Sequence, residues 1–109
     1  VIGVQEDNNY IPETITLFQN YPNPFNPVTV ISYDLNIKNG GSNFVFLKVY
    51  DILGKEAATL VEKDQTSGSY NVSFDGSNFQ SGIYYYRISV QDKSTNHEFT
   101  LSKKMVILK

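Results

Sequence analysis

The chain has 109 residues, a formal net charge of −2 and no cysteine. That length suits one domain, the mild acidity excludes a surface built to neutralise nucleic-acid phosphates, and the missing cysteines exclude disulfides and thiolate metal sites. Eight Tyr, seven Phe and no Trp, alongside many β-branched residues, favour strands over helices. No apolar run reaches membrane-spanning length and no secretory leader opens the sequence. An exported form is therefore expected to carry its leader on a longer parent, with Val1 a fragment boundary.

Residues 1–14 are polar and irregular and read as a linker or the tail of a preceding domain. Ile15, Leu17 and Tyr21 are spaced for a short edge strand. It leads into a block rich in proline: Asn20, Tyr21, Pro22, Asn23, Pro24, Phe25, Asn26, Pro27. Three of the chain's four prolines lie there, and each fixes its own φ and drives the residue before it out of the helical region. The block is thus a stiff, non-helical entry into a β domain. Asn20, Asn23 and Asn26 are expected to cap its turns, and Tyr21 and Phe25 to plug one end of the fold.

From Val28 the period is two, with Thr29, Ile31, Tyr33 and Leu35 on one face. Residues 36–43, with Gly40 and Gly41, read as a turn. Along residues 44–52, Val45, Leu47 and Val49 alternate with Phe46, Lys48 and Tyr50. Asp51 and Gly54 then hold the first and fourth positions of a type I turn, and residues 56–61 return as a hairpin arm. Residues 63–68 read as a polar turn ending at Gly68. Tyr70, Val72 and Phe74 alternate with polar neighbours, before a tight loop built on Asp75, Gly76 and Gly82 with Phe79 as its apolar plug. Residues 83–90 put Tyr84, Tyr86, Ile88 and Val90 on one face, residues 92–96 turn the chain, and residues 97–108 form a last strand or two half-strands. About seven short strands at this spacing, without a helical period, predict an all-β fold, an Ig-like antiparallel β-sandwich.

Catalytic chemistry is not expected. His97 sits in a polar turn with no Ser or Asp that can be paired with it, and the eleven carboxylates are scattered without a couple poised for acid–base work. Asp51 and Asp75 stand where turns need a side-chain acceptor. Calcium at Asp75 with Asn78 lacks the oxygen-rich spacing of a binding loop. Of Tyr84, Tyr85 and Tyr86, alternation leaves only Tyr85 outside, so a sugar-stacking patch needs Phe46 and Tyr50 on neighbouring strands. The cationic end, Lys103, Lys104, Met105, Val106, Ile107, Leu108 and Lys109, admits two compatible readings. It offers cations and a backbone edge to a receptor by strand addition, or it is a half-buried closing strand whose lysines guard an edge.

Five blocks occur in a telling order. They are Leu17-Phe18-Gln19-Asn20-Tyr21-Pro22-Asn23-Pro24-Phe25-Asn26-Pro27 running on to Tyr33; Val49-Tyr50-Asp51-Ile52-Leu53-Gly54-Lys55-Glu56; Gly68-Ser69-Tyr70-Asn71-Val72-Ser73-Phe74-Asp75-Gly76; Ser81-Gly82-Ile83-Tyr84-Tyr85-Tyr86-Arg87-Ile88; and the cationic end. Together they resemble the type A C-terminal sorting domains of the Bacteroidetes type IX (Por) secretion system, over residues 17–109. A more distant likeness links the Asp75-Gly76 loop and the Gly82-Ile83-Tyr84 strand to the Ig-like domain of flagellar hook-capping proteins. Phe74 stands where such sorting domains often carry Trp, and Asn36 where Pro is common.

The resemblance implies a non-catalytic secretion and sorting signal at the end of a larger cargo protein, without cofactor, nucleic acid or small-molecule substrate. Such a domain folds in the periplasm and is recognised by the outer-membrane translocon and its shuttle protein. A sortase-like peptidase then removes it, and the cargo is anchored to lipopolysaccharide at the surface or released. The cut is expected in or near residues 1–16, a linker or tail from the preceding cargo domain. Translocon recognition is expected from Lys103 to Lys109. Asn20 to Pro27, Asp51, Gly54, Gly68, Asp75, Gly76 and Gly82 carry the motif and shape the loops. A carbohydrate- or surface-binding module and a structural spacer are the alternatives.

Overall fold

The computed structural model describes residues 14–37, 43–93 and 96–109. They form seven strands: β1 (Thr14–Leu17), β2 (Val28–Asn36), β3 (Asn43–Tyr50), β4 (Glu56–Gln65), β5 (Gly68–Asp75), β6 (Gly82–Gln91) and β7 (Glu98–Ile107). The strands pair antiparallel into a three-stranded sheet, β1-β2-β5, and a four-stranded sheet, β4-β3-β6-β7. This is the sandwich that the alternation predicts.

The core lies between the inward faces. Ile31, Tyr33 and Leu35 of β2 meet Val45, Leu47 and Val49 of β3, Tyr86, Ile88 and Val90 of β6, and Met105 and Ile107 of β7, all buried. Each large apolar side chain taken out of water contributes about 1.5–3 kcal/mol before entropy is charged against it. Two phenols enter the core with their hydroxyls satisfied. Tyr33 donates to Gln65 Oε1 at 2.6 Å, and burial raises its pKa. Tyr86 donates to the Phe18 carbonyl at 2.6 Å and accepts from the Asn20 N–H at 2.8 Å. Burial pushes its pKa up to about 12. Those two bonds stitch the segment after β1 to a strand of the opposite sheet.

Several expectations need correction. The polar turn placed at residues 63–68 is mostly strand: β4 continues to Gln65. Lys63 and Asp64 lie exposed along it, Asp64 pairs with Lys93 at 2.9 Å, and Gln65 is held by Tyr33. Tyr21 does not plug the sandwich end but is 81% exposed. It bridges Val30, itself on the outer face of β2, and directly opposed residues in an antiparallel bridge point to the same side. Phe25, by contrast, is buried. β1 is the short edge strand expected around Ile15 and Leu17, although Tyr21 lies beyond it. The rest of the linker, the cleavage region within it and most of the turn at residues 36–43 lie outside the described residues.

Candidate functional site

β7 is an edge strand bonded in its sheet only to β6. Alternation along it buries Met105 and Ile107 and turns Lys104 outward. Lys103 opposes buried Tyr86, whereas Lys104 opposes exposed Tyr85. The two lysines therefore serve opposite faces of the sheet and make no joint cationic pair.

The proline block closes over the end of this edge. The Phe25 N–H donates to the Val106 carbonyl and the Leu108 N–H donates to the Phe25 carbonyl, both at 3.0 Å, forming a parallel bridge between Phe25 and Ile107. The Val106 N–H donates to Asn23 Oδ1 at 3.0 Å, and Gln19 Nε2 donates to the Lys104 carbonyl at 2.7 Å. The outward backbone groups of Val106 and Leu108, the run expected to pair with a receptor, are thus bonded within the chain. The side chains of Lys104, Leu108 and Lys109 stay exposed. Lys109 is steadied by its N–H on Ser81 Oγ at 2.9 Å and its Nζ on the Ser77 carbonyl at 2.6 Å.

Of the asparagines expected to cap local turns, Asn20 does so. It is buried, with Nδ2 donating to the Pro22 carbonyl at 3.1 Å and to Thr29 Oγ1 at 3.0 Å. Asn23 instead reaches across the molecule to β7, and Asn26 is exposed. The X–Pro bonds before Pro22, Pro24 and Pro27 are cis.

The Asp75-Gly76 loop seals the same end. Asp75 accepts from the Ser77 N–H at 2.9 Å and from its hydroxyl, which lowers the Asp75 pKa. The Gly76 N–H donates to the Pro27 carbonyl at 2.8 Å. A Cβ on Gly76 would come within 3.0 Å of Ile107 and 3.2 Å of Phe25. Beneath it Phe25, Phe74, Phe79 and Tyr84 pack edge to face in succession, at 6.0, 5.3 and 5.7 Å between centroids, a favoured quadrupole arrangement. Phe79 is the plug that the sequence suggests.

On the outer face of the four-stranded sheet, Tyr50 opposes Tyr85 and Lys48 opposes Arg87 across β3 and β6. The Arg87 guanidinium lies 5.0 Å from the Tyr50 ring centroid, and Lys48 Nζ lies 5.0 Å from that of Phe46. Cations cover two of the three rings that a sugar would stack on, Phe46 and Tyr50. A shallow hollow of about 220 Å³ opens between Tyr50, Ile52, Tyr85, Arg87 and Ser102. Beside it the β3–β4 turn is braced by Asp51 Oδ1, which accepts from the Leu53 and Lys55 N–H groups at 2.9 Å each. Gly54 closes the turn at φ 85°, a conformation costly for a residue with a Cβ. The brace leaves Ile52 and Leu53 65% and 88% exposed. By sequence Ile52 and Leu53 are the two central residues of the type I turn and carry no site role; two apolar residues inside an Asp–Gly turn are the available signal.

Among the described residues no group of three or more His, Cys, Asp or Glu could hold a metal ion, and His97 is exposed.

No curated protein matches the sequence closely enough to serve as a relative. In structure the chain is similar to dimeric latent PorU from Porphyromonas gingivalis, at a TM-score of 0.71 and 18% identity. That match covers 91% of this chain but 10% of the other, so it speaks for the fold alone. A family model described as a secretion system C-terminal sorting domain matches residues 19–107. It spans the proline block, both Asp–Gly loops and the whole of β7. The chain belongs to that family, the C-terminal sorting domains of the type IX (Por) secretion system.

Proposed function

We propose that the type IX machinery reads this domain in its folded form, through the outward side chains of the docked closing strand. Family membership makes the domain a non-catalytic type IX sorting signal that directs attached cargo through the outer membrane to the cell surface or beyond. In the finer reading, the cargo precedes residue 1 and the domain folds in the periplasm. The shuttle protein and the outer-membrane translocon bind the segment from Lys103 to Lys109. A sortase-like peptidase then cuts within residues 1–16, and the cargo is anchored or released.

One observation supports this reading above the others. The closing strand is bonded to β6 on one side and to Gln19, Asn23 and Phe25 on the other, while Lys104, Leu108 and Lys109 project to solvent. With its backbone engaged, the strand offers a receptor side chains on a rigid frame. The cation-covered rings weigh against the carbohydrate-binding alternative.

The test is a fusion of residues 1–109 to a fluorescent periplasmic cargo in a type IX-competent bacterium. It is compared with a variant carrying Lys104→Gln, Leu108→Ser and Lys109→Gln. The intact fusion is expected outside the outer membrane, and the variant in the periplasm with an unchanged melting temperature. Equal delivery of both would refute recognition through this strand. Mass spectrometry of delivered cargo is expected to find its new C-terminus within residues 1–16; cargo still carrying the whole domain would refute removal.

A further inference from the structure

We infer that recognition uses a composite face, in which the β3–β4 turn presents Ile52 and Leu53 beside the closing strand to an apolar, acid-rimmed protein surface of the secretion machinery; this rests on the sorting reading above. Ile52 and Leu53 are 65% and 88% exposed, Ile83 38% and Leu108 61%. Ile52 is shared by two adjoining hollows, of about 220 and 360 Å³. The first runs toward Tyr85, Arg87 and Ser102, the second toward Leu53 and Ile83. In register, Ile83 opposes Val106 and Tyr85 opposes Lys104. The turn, the start of β6 and the outer side of β7 thus form one continuous surface.

Large apolar side chains on a braced turn have a cost in solubility, and clustered apolar exposure of this kind marks interaction sites. Nothing in the turn's own architecture requires Ile52 or Leu53 to be apolar. The backbone is held by Asp51 Oδ1 and by the bonds that Asp51 makes with Gly54 and Lys55.

The charges around this face select the partner. The chain as a whole is acidic, at −2, yet Arg87 lines the hollow, Lys104 opposes Tyr85 at its edge and Lys55 ends the turn, and the nearby carboxylates are turned to internal work. Asp51 braces its turn, and Glu56 is bound by Lys48 at 3.2 Å and by Thr59 at 2.7 Å. An apolar centre with a cationic rim is complementary to an apolar surface fringed by carboxylates, an arrangement that favours fast, specific encounter.

The experiment uses the same fusion with Ile52→Ser and Leu53→Ser, residues outside the closing strand and outside the core. The control pair is Val28→Thr and Val30→Thr, on the outer face of the other sheet, where these side chains are 42% and 38% exposed. The turn variant is expected to melt like the parent but to lose delivery about tenfold or more, the factor that an interface contact of ~1.4 kcal/mol supplies. The control is expected to deliver normally. Arg87→Glu is expected to reduce delivery as well, through repulsion from the acidic rim. Normal delivery of the turn variant would overturn the composite face while leaving the closing strand as the signal. Equal loss in the control pair would overturn it too, as a non-specific surface effect. An unaffected Arg87→Glu would overturn the acidic character of the partner. Failure of the intact fusion to leave the periplasm would overturn the sorting reading itself.

Discussion

Deleting residues 103–109 is the obvious way to ask whether the closing strand is the signal, and the structure predicts that it will mislead. The deletion removes Met105 and Ile107, both 0% exposed. Each core truncation of that kind costs about 2–5 kcal/mol, so the pair removes about 4–10 kcal/mol. The Phe25–Val106, Leu108–Phe25 and Val106–Asn23 bonds go as well, at about 1 kcal/mol each. A domain of this size has about 5–15 kcal/mol of stability in total. The truncated chain is therefore expected to lack a cooperative thermal transition, or to melt far below the parent. The assay is near-ultraviolet circular dichroism, which reports the packed Tyr and Phe side chains. A cooperative melt within about 5 °C of the parent, the shift expected for ~1 kcal/mol, would refute the reasoning. If the truncated domain unfolds, its failure to be secreted reports on folding. Only the exposed positions of the strand can separate signal from scaffold.

Other perturbations test the frame around that strand. Tyr86→Phe keeps the ring but strands the buried Asn20 N–H, and is expected to cost about 1–3 kcal/mol, read as a drop in melting temperature. The same phenol, with its pKa raised from 10.0 to about 12, holds its proton when folded while the unfolded chain ionises. Its contribution is complete below pH 10.0 and is lost as pH rises toward 12. Alkaline melts of the parent should fall over that window, and Tyr86→Phe should flatten the fall. Gly76→Ala sets a methyl 3.0 Å from Ile107 and 3.2 Å from Phe25; overpacking there is expected to cost about 1–3 kcal/mol in the denaturant midpoint. At the acid end, the Ser77 hydroxyl and N–H bonds lower the Asp75 pKa. The stabilisation is present above the unfolded carboxylate value of about 4 and lost as pH falls through the lower folded value. Asp75→Asn should remove that part of the acid dependence.

Much of this fold is legible because burial on one side of a strand writes a period of two. β2, β3 and β6 follow that period from Thr29 to Leu35, Val45 to Val49 and Tyr84 to Val90. The turn at Asp51 and Gly54 is legible too, since its residue types are demanded by backbone geometry. What escapes is set by distant partners. The extension of β4 through Lys63, Asp64 and Gln65 has no apolar alternation, and is held by pairing with Val45, Phe44 and Asn43 of β3 and by the hydroxyl of Tyr33 on Gln65. The side to which Tyr21 points is fixed by pairing with Val30. Asn23 looks like a turn cap because it sits between prolines, but its carbonyl serves Val106, 83 residues away. The split of Lys103 from Lys104 follows from alternation alone; that Lys104 stands beside Tyr85, on the same surface as Ile52, does not.

That last juxtaposition bears on how a sorting signal can report on its own folding. A linear tag is equally present in a folded and an unfolded chain. Here the closing strand is held by β6 and the proline block, and its outward side chains lie beside residues from the β3–β4 turn. Those neighbours come together only when β3, β6 and β7 are paired and the end cap is in place. Phe25, Gly76 and Ile107 meet at that cap, so its packing and the presentation of Lys104 and Leu108 depend on one set of contacts. A receptor that requires the assembled face binds the native state and not the unfolded one. By linkage, binding then stabilises the native state by an amount that grows with the logarithm of free receptor concentration above its Kd, and recognition and folding of the domain become a single coupled equilibrium.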